Sequence, residues 1–238
     1  MASSGATERQ RAALSGAEIA DPVERHKRAA AVAAAELIED GMRVGLGTGS
    51  TVAHLLPAIA ARGLRDVRCV ATSPATERAA RELGLAVNTL DELLELDIAI
   101  DGADQVDPRG WLVKGGGGAH TREKIVAASC ARFVVIVSAE KLVSEITAPI
   151  PLELLRFGVR RTLAALAPAQ LRDVADSPDG GLIADYLGPV GDTRELSARL
   201  STTPGVIDHG LFAPEMVSTI LIAGERGVER RDGGKTVS

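Results

Sequence analysis

The sequence predicts an α/β fold: a parallel sheet with helices on both faces, joined to a smaller α+β unit. Three observations carry this expectation. Short apolar runs alternate with stretches of helical periodicity from about residue 41 to residue 138. Several of those runs, "LDIAIDGAD" and "RFVVIVS" among them, are apolar enough to be buried strands. Near Ala148 the pattern breaks, because "APIPLELL" brings two prolines and the segments after it mix helix, strand and hairpin turns.

The elements follow in order. Residues 1–20 lack the apolar stretch of a secretory signal and read as a disordered tail. Residues 22–40, "PVERHKRAAAVAAAELIED", space Ala, Val, Leu and Ile as one helix that stops at Gly41. "MRVGLGTGST" is a strand and a glycine turn, leading into a helix through "VAHLLPAIAARG". "VRCVATS" is the second strand, and "PATERAARELG" a helix with Pro74 in its first turn. "LAVNTL" reads as a short strand and "DELLEL" as a helical turn. The strand "LDIAIDGAD" ends in acids, and "QVDPRGWLVK" is a hairpin around Asp-Pro-Arg-Gly. After a run of four glycines, Thr121 is expected to cap a helix reaching Cys130, ahead of "RFVVIVS". "DSPDGGL" marks a turn inside the smaller unit, "VSTILIAG" returns to the large sheet, and "ERGVERRDGGKTVS" reads as a polar tail. The expected division is thus residues 21–147 with 218–238 as the large domain and 148–217 as the small one.

Composition narrows the function. With 238 residues, 45% hydrophobic and 25% charged, the chain suits a globular protein. Aromatics are 2% and the net charge is −5, which argues against a stacking surface or a basic patch for nucleic acid. No apolar run approaches the ~20 residues a membrane helix needs, so neither nucleic acid nor membrane is an expected partner. Cys69 and Cys130 sit apart in apolar contexts and read as buried thiols in a reducing, cytoplasmic setting.

In open α/β sheets, ligands bind beyond the carboxyl ends of the strands, near helix N-termini. Four segments sit at such ends: "GLGTGST" (45–51), "ATS" (71–73), "DGAD" (101–104) and the stretch from Lys114 to Glu123. The first is no dinucleotide fingerprint, since Ser50 stands where the third glycine belongs and the next strand ends in Thr72 and Ser73 rather than an acid. Nor is it a P-loop, because no Gly-Lys-Ser/Thr follows. It suits a small phosphate monoester at a helix N-terminus, the plain alternative being a bare strand-to-helix turn. Asp101 and Asp104 lie three residues apart past an apolar strand, and neighbouring carboxylates split each other's pKa values in a way that suits proton transfer. Lys114 ends its strand toward the same crevice. Glu123, in the first turn of its helix, reads as dipole compensation or as part of the site. His26, His54, His120 and His209 show no ligand spacing, so neither a metal nor a cofactor is expected. Carboxylates, one lysine, hydroxyls and backbone amides suit proton abstraction beside a carbonyl, with the oxyanion held by the amides and the ammonium.

Taken together, "GLGTGST", "IDGAD", "KGGGGAHTREKIVA" and "PGVIDHGLF" resemble ribose 5-phosphate isomerase of the A type, from about Lys27 to Val228. The resemblance implies a Rossmann-like large domain, a homodimer or homotetramer, and metal-free interconversion of ribose 5-phosphate and ribulose 5-phosphate. It implies Glu123 as the base, with Asp101, Asp104 and Lys114 serving ring opening, proton movement between oxygens and oxyanion stabilisation. Gly115 and Gly116 would offer amides to that oxyanion. Thr48, Ser50 and Thr51 would hold the substrate, with Lys27 and Lys141 facing its phosphate. Gly47, Gly49, Gly102, Ala103 and Gly117 complete the implied substrate-facing backbone. His120, where the family usually has an apolar residue, and Gln105, where a Glu is usual, depart from the pattern. Two rivals carry weight from fold alone: a non-catalytic sugar-phosphate sensor, and an acyl or CoA transferase.

Overall fold

The computed structural model describes residues 21–234; the tail expected over 1–20 lies outside them. The chain opens with α1 (Pro22–Ala35), whose N-cap Asp21 accepts from the Val23 amide at 2.9 Å. It is shorter than the periodicity suggests, yet Ile38 beyond its end is still fully buried. Then follow β1 (Arg43–Leu46), α2 (Ser50–Ala61), β2 (Arg68–Ala71), α3 (Pro74–Glu82), β3 (Ala86–Asn88), α4 (Leu90–Leu93) and β4 (Leu96–Asp101). A hairpin of β5 (Gln105–Val106) and β6 (Leu112–Val113) leads through the glycine run to α5 (His120–Ala128) and β7 (Cys130–Ser138).

The smaller unit comprises β8 (Ile150–Leu154), α6 (Val159–Ala165), β9 (Ala169–Leu171), β10 (Leu182–Tyr186), α7 (Thr193–Thr202) and β11 (Val206–His209). Next come β12 (Leu211–Phe212), β13 (Thr219–Gly224) and β14 (Gly227–Asp232). Seven strands form the main sheet, in the order β14-β13-β7-β4-β1-β2-β3. All its pairs are parallel except β13 with β14. An antiparallel sheet of order β11-β8-β10-β9 lies within residues 150–209, and β12 pairs with β6 in a third sheet.

The main sheet is buried on both faces, and β7 shows how. Val134 and Ile136 pack with α1 and α2 residues such as Ala31, Leu55 and Ile59. Phe133, Val135 and Val137 pack on the other side with Val126 and Ala127 of α5. That two-sided burial is why its apolar run is continuous. A separate core around Ile150, Leu152, Leu154, Leu196 and Leu200 holds the antiparallel sheet, and Trp111 of the hairpin packs into it.

Two expectations fail. The C-terminal "polar tail" contains β14, exposed at all six positions. An edge strand with both faces in water has no apolar pattern to display; its pairing with β13, from Thr219 opposite Asp232 to Gly224 opposite Gly227, defines it instead. Thr121 does not cap α5. The N-cap is Ala119, with no side-chain bond, and the helix ends at Ala128, leaving Cys130 to open β7. Cys69 and Cys130 are both buried. No helix among the described residues is long and apolar enough to cross a membrane.

Candidate active site

The strand order reverses at β1. The chain runs outward through β2 and β3, then returns to place β4 on the other side of β1. A crevice opens at such a switch point, beyond the carboxyl ends of the strands. The glycine turn after β1 and the acids ending β4 meet there. The cavity is lined by Thr48, Gly49, Ser50 and Thr51, by Gly102, Ala103 and Asp104, and by Lys114, Gly115, Gly116, Gly117, Glu123 and Lys141. A larger groove, about 780 Å³, lies at the opposite ends of β1–β3 beside Gly63 and Leu83; Asp66 and Arg68 alone bring charge to it.

At the cavity floor is a buried charged cluster. Lys114 Nζ lies 3.0 Å from Asp101 Oδ2 and 3.2 Å from Glu123 Oε2, and donates to the Gly102 carbonyl at 2.6 Å. The three side chains are at most 5% exposed. Asp101 also accepts from the Gly102 amide at 2.7 Å and the Thr48 amide at 3.2 Å. Glu123 Oε2 has the ion pair but no hydrogen bond. Burial, then the Asp101 charge, push the Glu123 carboxyl up to about 8 against the pull of Lys114. Burial disfavours the Lys114 ammonium, but Asp101 and Glu123 outweigh it and hold its pKa above the ordinary lysine value. Burial also raises Asp101, with Lys114 opposing. One ammonium thus faces two carboxylates. The less hydrogen-bonded of them, Glu123, is the one that keeps a proton near neutrality.

The structure separates the expected residues into three groups. Most line the cavity. Asp101 and Gly47 lie behind it: a Cβ on Gly47 would sit 2.0 Å from the Asp101 carboxyl, so this glycine makes room for that side chain. Lys27 does not line the cavity, since its Nζ is held by Glu24 at 2.6 Å. The Gly116 amide, expected to face an oxyanion, donates to Asp104 Oδ2 at 2.8 Å. Thr48 turns its hydroxyl to Thr72 at 2.8 Å, so "ATS" braces the turn from beneath. Ser50 opens α2, and Gly49, the N-cap, makes no side-chain bond, leaving the first amides of the helix at the cavity.

A family model for ribose 5-phosphate isomerase A (phosphoriboisomerase A) matches residues 68–227. The chain belongs to this family. Ribose-5-phosphate isomerase A of Caulobacter vibrioides (strain NA1000 / CB15N) is 44% identical over 219 residues, covering 86% of this chain and 96% of that protein. Its counterpart from Roseiflexus sp. (strain RS-1) is likewise 44% identical, over 85% of this chain and 94% of its own. The solved isomerase A of Methanocaldococcus jannaschii superposes with a TM-score of 0.82 at 34% identity, covering 88% of this chain and 99% of that one. A D-ribose-5-phosphate isomerase in complex with phospho-erythronic acid gives 0.83 at 33%, with the same coverage. The sensor and transferase readings gain no support from these likenesses.

Within this isomerase family member, the neighbours of Glu123 carry a role that sequence alone hides. Thr121 donates to Glu153 of β8, a carboxylate that Ser177 also serves. Arg122 pairs with Asp179 at 2.7 Å, and Lys124 with Asp208 at 2.5 Å. Each of these ties α5 to the smaller unit, so the helix that presents Glu123 is fixed from three directions. His120 is fully buried behind the glycine run, neither ring nitrogen hydrogen-bonded. Burial, then the Lys124 charge, push its pKa down to about 3, so it is neutral at physiological pH. A Cβ on Gly115 (φ +103°) would reach its Nδ1 at 2.6 Å.

Proposed function

We propose that this protein interconverts D-ribose 5-phosphate and D-ribulose 5-phosphate by proton transfer through an enediolate, in the non-oxidative pentose phosphate pathway. The observation that carries the mechanism is the Glu123 carboxylate. It lines the cavity, and its Oε2 lies 3.2 Å from the buried Lys114 ammonium. With the sugar ring open, Glu123 takes the proton from C2, and the charge passes to the carbonyl oxygen on C1. Lys114 and the loop amides hold that charge. Asp104, at the cavity mouth, moves the hydroxyl proton from O2 to O1. Glu123 then returns its proton to C1, leaving the carbonyl at C2. Asp101 acts from behind by holding Lys114. No step needs a metal, because Lys114 supplies the positive charge. Ser50, Thr51, the α2 amides and Lys141 suit the phosphate.

On the same reading, residues 21–147 with 218–238 form one domain, of which 235–238 lie outside the described residues, and 148–217 form another; the protein works in the cytoplasm as a homodimer or homotetramer. The exposed Leu155, Phe157 and Val174 of the smaller unit favour such an assembly.

Steady-state kinetics of Glu123→Gln tests the mechanism. The side chain stays isosteric but cannot accept a proton, so the rate should fall by about 10²–10⁴-fold while the fold persists. Retention of more than about a tenth of the wild-type rate removes Glu123 from the base role.

A further inference from the structure

One largely buried ion pair has no part in the steps above. Arg172, just past β9, donates through Nε and Nη2 to both carboxylate oxygens of Asp185 on β10, at 2.8 and 2.6 Å. The two side chains are 17% and 14% exposed. The third nitrogen, Nη1, donates to the carbonyls of Gly115 at 2.9 Å and Gly116 at 3.1 Å. A guanidinium is planar and its donors keep fixed mutual directions. The bidentate grip of Asp185 therefore dictates where Nη1 points.

A trans peptide is also a rigid plane, with its C=O and N–H on opposite sides. The Gly115 carbonyl shares its plane with the Gly116 amide, and the Gly116 carbonyl shares its plane with the Gly117 amide. Anchoring both carbonyls on Arg172 turns both amides away from it. The Gly116 amide does point oppositely, to Asp104 Oδ2 at 2.8 Å. Gly117 lines the cavity. Glycines have no side chains to fix their own planes; the Gly115 carbonyl also accepts from the Gly118 amide at 3.1 Å, and Arg172 adds a bond to it and one to the Gly116 carbonyl, joining the two planes.

We infer that Arg172, aimed by Asp185, is a positioning residue for the isomerisation: it directs the Gly116 amide at Asp104 and the Gly117 amide at the reacting sugar oxygens. Its charge also polarises the two peptides and strengthens their N–H groups as donors. The inference rests on the cavity being the isomerase site.

Kinetics of Arg172→Ala, Arg172→Lys and Asp185→Asn on ribose 5-phosphate, with Glu123→Gln alongside, test it. Arg172→Ala should lower kcat by about ten- to a hundredfold, because small misplacements in such a site are costly, while KM stays within about threefold. Affinity for phospho-erythronate, whose planar carboxylate imitates the enediolate oxygens, should fall with kcat. Added guanidinium ion should restore part of the rate to Arg172→Ala. Arg172→Lys should remain impaired, since a point ammonium cannot bridge a carboxylate and two carbonyls. Asp185→Asn keeps the arginine but loosens its aim, and should lose kcat several-fold; it keeps the test open if Arg172→Ala does not fold. Wild-type kcat in Arg172→Ala or Asp185→Asn overturns the inference. So does a kcat loss in Arg172→Ala that guanidinium leaves unchanged and that matches the unfolded fraction. If Glu123→Gln is inactive and Arg172→Ala normal, the clamp alone is wrong; an active Glu123→Gln instead removes the mechanism beneath it.

Discussion

Lys114 decides the electrostatics of the site. Opposite unit charges 3 Å apart attract by about 5–6 kcal/mol at an effective dielectric near 20. Asp101 alone offsets a desolvation penalty of several kcal/mol, and Glu123 adds to it once ionised, so the ammonium persists. The same burial leaves Glu123 titrating near pH 8. The base must be ionised to act, so kcat/KM should rise with pH below about 8 and level off above it. A profile from pH 5.5 to 9.5 checks this; a plateau already reached by pH 6 contradicts it. His120 gives a second prediction. Its folded pKa of about 3 lies below the ordinary 6.5, so the unfolded chain binds the extra proton between those values. The stability it confers is complete above pH 6.5 and is lost at about 1.4 kcal/mol per pH unit as pH falls toward 3. His120→Leu should flatten that acid slope in urea melts. It should also match or exceed wild-type stability at pH 7, because it removes two buried nitrogens without partners.

At the scale of the element, helix α5 shows what was legible in the sequence and what was not. The acid in its first turn was readable, and the motifs around Glu123 pointed to a base. The purpose of Thr121, Arg122 and Lys124 was hidden, because Glu153, Asp179 and Asp208 lie 32, 57 and 84 residues away along the chain. No local periodicity encodes such pairings. Arg172 escaped for the same reason, lying 56 and 57 residues from the carbonyls it holds. The cap assigned to Thr121 followed sound local chemistry that a tertiary partner overrode. Thr121→Val should therefore leave α5 formed but deprive buried Glu153 of a donor, costing about 1–3 kcal/mol. Because α5 carries Glu123, kcat should fall further than KM rises. Unchanged stability and kcat would show that this latch is idle.

For the whole molecule, alternation of strand and helix made the parallel sheet readable, and two-sided burial made β4 and β7 conspicuous. The exposed edge β14 left no such trace. Strand order was not readable either, yet it places the site: β4 beside β1 is what brings Asp101 within reach of the turn after β1. On the proposed mechanism, one fixed carboxylate carries a proton from C2 to C1 in a pocket organised by that topology. The direct measurement is conversion of ribose 5-phosphate in heavy water, with the product read by NMR. A carboxylate that exchanges its proton with solvent while it works places deuterium at C1 of the ketose, on one face only. Ketose formed with no deuterium at C1 and none gained at C2 of the recovered aldose, by an enzyme that the Glu123→Gln change leaves active, would mean that hydrogen moves directly between the carbons and that Glu123 does not carry it.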